Sequence, residues 1–286
     1  MKLITSIREM QDVADELRRQ GKRIGVVPTM GYLHAGHLSL IHRAKEHTDT
    51  VITTLFVNPI QFGPHEDFDR YPRDLERDKR LAAEAGSEYM FVPERNEMYG
   101  AEHYSYVVIE KLTDVLEGKV RPGHFRGVAT VVIKLFNITK PHIAVFGQKD
   151  AQQALVIQRM VRELNLDLEL IIAPIVREPD GLAMSSRNVY LNPEERKQSV
   201  VLSQSLQLAQ KLILNGERNS AIIIAAMKGL ISLQPLAGID YISVADTSTL
   251  QELSQLKAGG SVLISLAARF GSTRLIDNII MIVQEH

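Results

Sequence analysis

The stretch Ile24-Gly-Val-Val-Pro-Thr-Met-Gly-Tyr-Leu-His-Ala-Gly-His37 changes its periodicity halfway along, and that change decides the fold. Its first half is short, apolar and rich in β-branched residues, bounded by Gly21 on one side and Thr29 to Gly31 on the other, which reads as a buried strand. Beyond Gly36 the residues Leu38, Ile41 and Ala44 recur at helical spacing, so a helix is predicted over roughly 36–47, with His37 in its first turn. A strand that runs through a glycine turn into a helix gathers unpaired N–H groups and the positive end of the helix dipole at one point. That junction favours a phosphate oxygen. Gly31 and Gly36 allow the backbone to come close to a ligand.

The glycine turn matches neither of the common phosphate loops. GxGxxG is absent after Pro28, and although Gly31 and Gly36 have Walker A spacing, His37-Leu38 stand where Lys-Ser/Thr would be needed. What remains is HxGH, with His34 and His37 three residues apart and able to face the same way. Two imidazoles there can donate to phosphate oxygens and stabilise charge that develops at an attacked α-phosphate.

Outward from this stretch the chain alternates strands and helices. Ser6 and Glu9 form a capping-box signature ahead of an apolar face of Ile7, Met10, Val13, Ala14 and Leu17. Val51 to Val57 reads as a strand, followed by Asn58 to Phe62 and a polar stretch from Gly63 to Pro72. From Gly63 to Arg73 the chain is poor in apolar anchors and is expected to be mobile without ligand. A helix over roughly 72–85 and a strand over 88–93 follow. Tyr104 to Glu110 reads as a further strand, Gly118 to Gly127 as a basic, turn-rich loop, and Val128 to Ile138 as a buried helix. His142 to Gly147 reads as a strand, then a helix whose Ala154, Ile157, Val161 and Leu164 share a face, with Asp150 as its N-cap, and Leu168 to Ala173 closes the series. The alternation predicts an α/β fold, a Rossmann-like doubly wound parallel sheet with helices on both faces. After Pro174 the texture changes. Ile175 to Arg187 reads as a mobile connector, Asn192-Pro193 as a helix start, then helices over 193–214 and 220–233 and strands over 239–245 and 262–267. The expected division is 1–176 and a smaller α+β domain over 177–286.

Composition limits the function classes. With 286 residues, 45% hydrophobic and 23% charged, the chain is globular, and a formal net charge of -1 supplies no overall basic field for nucleic acid or an anionic membrane. Zero cysteines exclude disulfides, thiolate metal sites and a cysteine nucleophile. The N-terminus lacks an apolar signal core and no apolar run reaches the length of a membrane span, so a cytoplasmic location is expected. The nine histidines show no metal-ligand spacing, so no protein metal site is expected and any Mg2+ would arrive with a nucleotide.

Ligands of open α/β sheets sit beyond the carboxyl ends of the strands, where Pro28 to His37, Asn58 to Phe62 and Gly147 to Asp150 all fall. Asn58 and Gln61 could orient a small polar substrate, with Met30 and Phe62 as an apolar wall. Lys149 and Asp150 could serve as a phosphate donor and a metal or ribose contact, and Gln153 could point to the same mouth. Met184-Ser-Ser-Arg187 offers hydroxyls and a guanidinium to a triphosphate, and Arg121 and Arg126 could contact an anion.

HxGH followed by Met-Ser-Ser-Arg resembles the adenylyl-transferring superfamily that includes class I aminoacyl-tRNA synthetases. Further blocks sharpen the likeness: Pro28-Thr-Met-Gly31, Phe56-Val-Asn-Pro-Ile-Gln61, Tyr71-Pro-Arg73, Arg121-Pro-Gly-His-Phe-Arg-Gly127, Phe146-Gly-Gln-Lys-Asp150 with Gln152-Gln153, and Asp180 to Asn188. In this order, and over essentially the whole chain, they are similar to the pantoate–β-alanine ligase family. The resemblance implies ATP as a substrate, Mg2+, a pantoyl adenylate, release of pyrophosphate and AMP, and a homodimer whose smaller domain closes over ATP. It implies a nucleotide site of Met30, Gly31, Tyr32, Leu33, His34, Ala35, Gly36 and His37 with Gly147, Gln148, Lys149, Asp150, Val176, Met184, Ser185, Ser186 and Arg187. His37 and His34 would be catalytic. Gln61 and Gln153 would hold pantoate, with Gln61 also near the β-alanine position and Asn58, Tyr71 and Arg121 also on the substrate side. Ala35 and Gln148 depart from commoner acidic residues of the family.

Overall fold

The computed structural model describes residues 1–285, which form two compact units. Met1–Gln148 with Gln153–Pro174 make the first, and Lys149–Gln152 with the chain from Ile175 onward make the second. In chain order the elements are β1 (Lys2–Ile4), α1 (Ile7–Arg19), β2 (Ile24–Thr29), α2 (Ala35–His47), β3 (Thr50–Leu55), α3 (Leu75–Glu84), β4 (Tyr89–Phe91), α4 (Arg95–Met98), α5 (Leu116–Val120), α6 (His124–Thr139), β5 (Ile143–Gly147), α7 (Ala151–Glu163) and β6 (Glu169–Ala173). There follow α8 (Pro193–Ser199), α9 (Val201–Leu214), α10 (Ser220–Ile231), β7 (Ala237–Asp246), β8 (Ser261–Phe270) and β9 (Thr273–Ile282).

The first unit carries a six-stranded parallel sheet in the order β1-β4-β3-β2-β5-β6. The doubly wound α/β fold read from the strand–helix alternation is thus observed. Its centre is β2, buried along nearly its whole length, and Val27, Leu33, Ile41, Val51, Met90 and Val145 belong to the core beside it. Pro28 has a consequence for shape. Residues of a parallel strand alternate between neighbours, and Thr29 accepts from Phe56 on the β3 side, so the missing Pro28 N–H falls on the β5 side. There the ladder stops at Val26↔Ala144, while pairing with β3 continues to Thr29↔Leu55. The sheet therefore splits between β2 and β5 at their carboxyl ends.

The second unit has an antiparallel meander, β7-β8-β9, over a core that includes Leu202, Leu206, Ile213, Ile223, Met227, Ile264 and Phe270. No helix among the described residues is long and apolar enough to cross a membrane.

Several local expectations are corrected. Residues 104–110 form no strand: Tyr104 is 82% exposed, and Val107 N bonds a side chain, the Thr130 hydroxyl at 3.0 Å, in place of a neighbouring strand. β-rich composition without a partner strand gives an extended segment, not a sheet member. The expected basic loop starts inside α5, and α6 starts one turn early, at His124. Ser6 accepts from Glu9 N at 3.5 Å, but the reciprocal half of the box is missing, because the Glu9 carboxylate pairs with Lys2 at 2.8 Å and Glu97 takes Ile7 N. Leu164 lies beyond α7 and is exposed. The single helix expected over 193–214 breaks at Val200, where the Ser199 and Ser203 hydroxyls bond back to Arg196 O and Val200 O.

The polar stretch 63–73 also has more anchors than its composition suggests. Phe68 and Tyr71 pack edge-on to Phe62 with ring centroids 5.4 and 6.1 Å away, and the Arg73 guanidinium binds Phe68 O, Asp69 O and Tyr71 O.

Candidate active site

Strand order reverses at β2: the chain adds β3 and β4 on one side, then returns to add β5 and β6 on the other. At such a switch point the connections leave a crevice outside the carboxyl ends. Thr29 to His37 leaves β2 at this place and Gly147 leaves β5 beside it.

The two histidines are part of the helix start itself. His34 is the N-cap of α2, with extended backbone (φ -138, ψ 174), and its Nδ1 accepts from Gly36 N at 3.1 Å. In return His34 N donates to His37 Nδ1 at 3.3 Å, a capping box made of two imidazoles with ring centroids 4.1 Å apart. A ring that accepts at Nδ1 carries its hydrogen on Nε2. The expectation of bare peptide N–H donors therefore needs refinement: Gly36 N is capped by His34, and His37 N bonds His34 O at 2.8 Å. Each imidazole of this helix start keeps its hydrogen on Nε2. Ala35 is exposed, whereas the Leu33 side chain is buried in the core, so only its backbone is placed to meet a ligand.

The turn that delivers His34 is held by a residue the sequence did not mark. Asp78, in the first turn of α3, is 1% exposed, and its two carboxylate oxygens accept from Tyr32 N and Leu33 N, each at 2.7 Å. Burial raises its carboxyl above the ordinary value, against the pull of those two donors. The turn needs this support because Gly31 (φ 88) and Tyr32 (φ 52) are both left-handed. A Cβ on Gly31 would lie 3.1 Å from Asp78 Oδ2, so the strut also demands glycine there. Thr29 adds a second tie, its hydroxyl donating to Thr54 O at 2.8 Å and accepting from Gly31 N at 3.3 Å. Asp78→Asn turns one acceptor into a donor facing a backbone N–H. We expect it to cost about 1–3 kcal/mol of stability, and an unchanged urea midpoint would sink this account.

Gln61 is framed from several sides. Asn58 is 1% exposed and its amide is used internally: Oδ1 accepts from the Tyr99 hydroxyl at 2.8 Å, and Nδ2 donates to Gln61 Oε1 at 3.0 Å and Gly127 O at 3.1 Å. Gln61 Nε2 in turn rests on Met30 Sδ at 3.2 Å. His124 Nδ1 donates to Gln61 O at 2.9 Å, leaving Nε2 to accept from Arg121 Nη1 at 3.0 Å. Gly127 is required by close approach, since a Cβ there would stand 2.5 Å from Ile60 O and 2.7 Å from Gln61 Cα.

Two candidate residues thus have other occupations here. Asn58 contacts neighbouring protein groups with all of its amide, and Arg121 is gripped by Glu66 in a bidentate pair, Nε–Oε1 2.6 Å and Nη2–Oε2 2.7 Å. Burial works to raise the Glu66 carboxyl, yet the Arg121 bonds and charge bring it below its ordinary value. Tyr71 is buried against Phe62, and Arg126 is exposed with its guanidinium 4.6 Å from the Tyr106 ring centroid. Gln148 and Gln153 are half-buried at the end of β5 and the start of α7.

Lys149, Asp150, Val176 and Met184 to Arg187 belong to the second unit. Asn278 Nδ2 holds Lys149 O at 2.9 Å, and Asp150 is exposed directly ahead of α7. The expected loose connector is an ordered hairpin: Met184 N bonds Val176 O at 3.0 Å, and Glu178 N bonds Leu182 O at 2.8 Å. Arg177 ties it down with a bidentate pair to the buried Asp277, at 2.6 and 3.0 Å. Ser185 then caps a 3-10 turn over Ser186–Tyr190 by accepting from Arg187 N at 3.2 Å. Among the described residues no group of three or more His, Asp or Glu stands together to hold a metal ion.

A family model for pantoate-beta-alanine ligases matches residues 2–280. The pantothenate synthetase of a Thermoanaerobacter species is 55% identical over 274 residues, 96% of each chain. The solved pantothenate synthetase from Thermus thermophilus is 44% identical and aligns with a TM-score of 0.91 over 100% of both chains. The pantoate-beta-alanine ligase from Francisella tularensis, complexed with beta-gamma ATP and beta-alanine, is 32% identical with a TM-score of 0.79, covering 98% of this chain and 97% of that one.

Proposed function

This chain belongs to the pantoate-beta-alanine ligase family, and from that membership we infer that it makes pantothenate from pantoate and β-alanine with ATP, by way of a pantoyl adenylate. A pantoate carboxylate oxygen attacks the α-phosphorus, and the bond to the β-phosphate oxygen breaks to release pyrophosphate. The β-alanine amine then attacks the acyl carbon, loses a proton, and AMP departs with the bridging oxygen.

The observation that carries this reading is the imidazole capping box at the switch point. His34 and His37 hold each other through Nδ1 and backbone N–H, so their Nε2–H groups are fixed in orientation before any ligand arrives. Donors held ready at a helix start stabilise negative charge that builds on phosphate oxygens as pyrophosphate leaves. Gln61, with its amide oxygen already taken by Asn58, offers an N–H to an acceptor on pantoate, and Gln153 is its companion by resemblance. By the same resemblance Gly147 to Asp150, Val176 and Met184 to Arg187 serve the nucleotide, and the protein is a cytoplasmic homodimer. Mg2+ would enter on the triphosphate, since the described residues form no acidic cluster that would hold it alone.

The test is isotope exchange. Labelled pyrophosphate should enter ATP when pantoate and Mg2+ are present and β-alanine is absent. Adding β-alanine should then release AMP in equal amount to the amide. Exchange without pantoate, or ADP in place of AMP, would refute the adenylate route. A stable adenylated product formed without β-alanine would point to another nucleotidyl transfer.

A further inference from the structure

We infer that Tyr99 is a positioning residue for substrate recognition, acting through Asn58 to make Gln61 present a hydrogen-bond donor to its ligand. Four groups stand in line: the Tyr99 hydroxyl donates to Asn58 Oδ1 at 2.8 Å, Asn58 Nδ2 donates to Gln61 Oε1 at 3.0 Å, and Gln61 Nε2 faces Met30 Sδ at 3.2 Å. The inference rests on the reading that Gln61 faces pantoate.

The direction of this line is dictated by a group that cannot reverse. Gly127 O is a backbone carbonyl, able only to accept, and it takes the second hydrogen of Asn58 Nδ2 at 3.1 Å. Turning the Asn58 amide over would set oxygen against oxygen at Gly127. Asn58 Oδ1 must then point to Tyr99, whose hydroxyl donates to it at a position that is 1% exposed. Without that hydroxyl a buried acceptor stands unsatisfied, and the amide gains by rotating away from the geometry that holds Gln61. The Tyr99 ring is itself fixed, edge-on to His103 at 4.8 Å, tilted against Phe56 at 6.1 Å, and with Lys134 Nζ 5.5 Å from its centroid.

The consequence for recognition is specific. Gln61 Oε1 is occupied from behind, so the atom left for a ligand is Nε2–H. A thioether sulfur is a weak acceptor, easily replaced by a better one. The ligand atom facing Gln61 is therefore an oxygen acceptor, a carboxylate or hydroxyl of pantoate, and not the ammonium of β-alanine.

The experiment compares Tyr99→Phe, Gln61→Glu and the double variant by steady-state kinetics and thermal unfolding. Tyr99→Phe deletes one hydroxyl. It should raise the pantoate KM on the order of tenfold, the weight of one buried hydrogen bond, with the ATP KM within about twofold of the parent. Gln61→Glu keeps an oxygen for Asn58 but turns a carboxylate to the ligand, and should raise the pantoate KM by about 100-fold or more. The double variant should add little to Gln61→Glu, because both changes act on one group. If Gln61→Glu leaves the pantoate KM unchanged, Gln61 does not face pantoate and the underlying reading is wrong. If Gln61→Glu is defective while Tyr99→Phe is silent, that reading stands and the relay is overturned. Equal rises in the pantoate and ATP KM of Tyr99→Phe, with a lower unfolding midpoint, would mean a structural role and overturn it too. So would a rise confined to the β-alanine KM.

Discussion

His37→Asn should slow adenylate formation by ~10²-fold or more while leaving the unfolding midpoint close to that of the parent, since removing one donor aimed at developing charge has an effect of that size. The two nitrogens of His37 do separate work: Nδ1 accepts from His34 N and closes the helix cap, whereas Nε2 carries the hydrogen. Asparagine places an acceptor near the Nδ1 position and nothing near Nε2, so it keeps the cap and loses the donor. Glutamine does the reverse. His37→Gln should retain more of the pyrophosphate exchange rate than His37→Asn but lose about 1 kcal/mol of stability with the broken cap. The measurements are exchange rate and urea midpoint for both variants. If the two lose activity equally, or if Asn raises KM for ATP with kcat intact, His37 contributes binding alone.

A second large effect is expected in acid, through His124. Burial first, and then the neighbouring Arg121 charge, push this imidazole down to about 4, although Gln61 O, Glu66 and Glu117 favour its charged form. In the unfolded chain the ring titrates near its ordinary 6.5. Between those values the unfolded chain takes up a proton that the folded chain refuses, so stability is present above about pH 6.5 and is lost as pH falls toward 4. The gap corresponds to on the order of 3 kcal/mol at the acid end of the window. His124→Asn keeps a donor for Gln61 O without a titrating ring. Urea unfolding at pH 7.5 and near pH 4.5 should show the parent losing more stability than this variant, and parallel losses would refute the assignment.

The sequence revealed those parts of the fold that are local and left unread those created by distant partners. The change of period at Gly36 was enough for β2 and α2, and alternation for the doubly wound sheet. The strand β9 was not read, because Asp277-Asn278 interrupts its apolar run. Asp277 is held in the interior by a bidentate pair with Arg177, 100 residues earlier, and by Asn278 N. The edge strand β1 has three residues, too few for a periodicity. Conversely, residues 104–110 have strand chemistry and no sheet edge to join. In the site, HxGH, Asn58 and Gln61 were legible as polar residues at strand ends. Asp78 was not, since in Leu-Glu-Arg-Asp-Lys-Arg it resembles any solvated first turn, and only the fold brings Tyr32 and Leu33 against it. Glu66 and Tyr99 carry no pattern either, and the block that contains His124 does not tell that its ring supports Gln61.

The placement of β2 at the centre of the sheet has a consequence for synthesis. Its one neighbour, β3, is built directly after it, but the other side waits for β5, as in the bond from Ile24 N to His142 Nδ1 across 118 positions of chain. At about 5–20 residues per second, that interval lasts on the order of 6–24 s on the ribosome. Throughout it the emerging half-sheet presents an apolar, unpaired edge, the kind of surface on which chains join one another instead of themselves. The meander β7-β8-β9, whose strands pair in the order in which they are made, carries no such delay. The vulnerable period in the life of this protein is therefore the time between the emergence of β2 and the arrival of the strand that completes the sheet beside it.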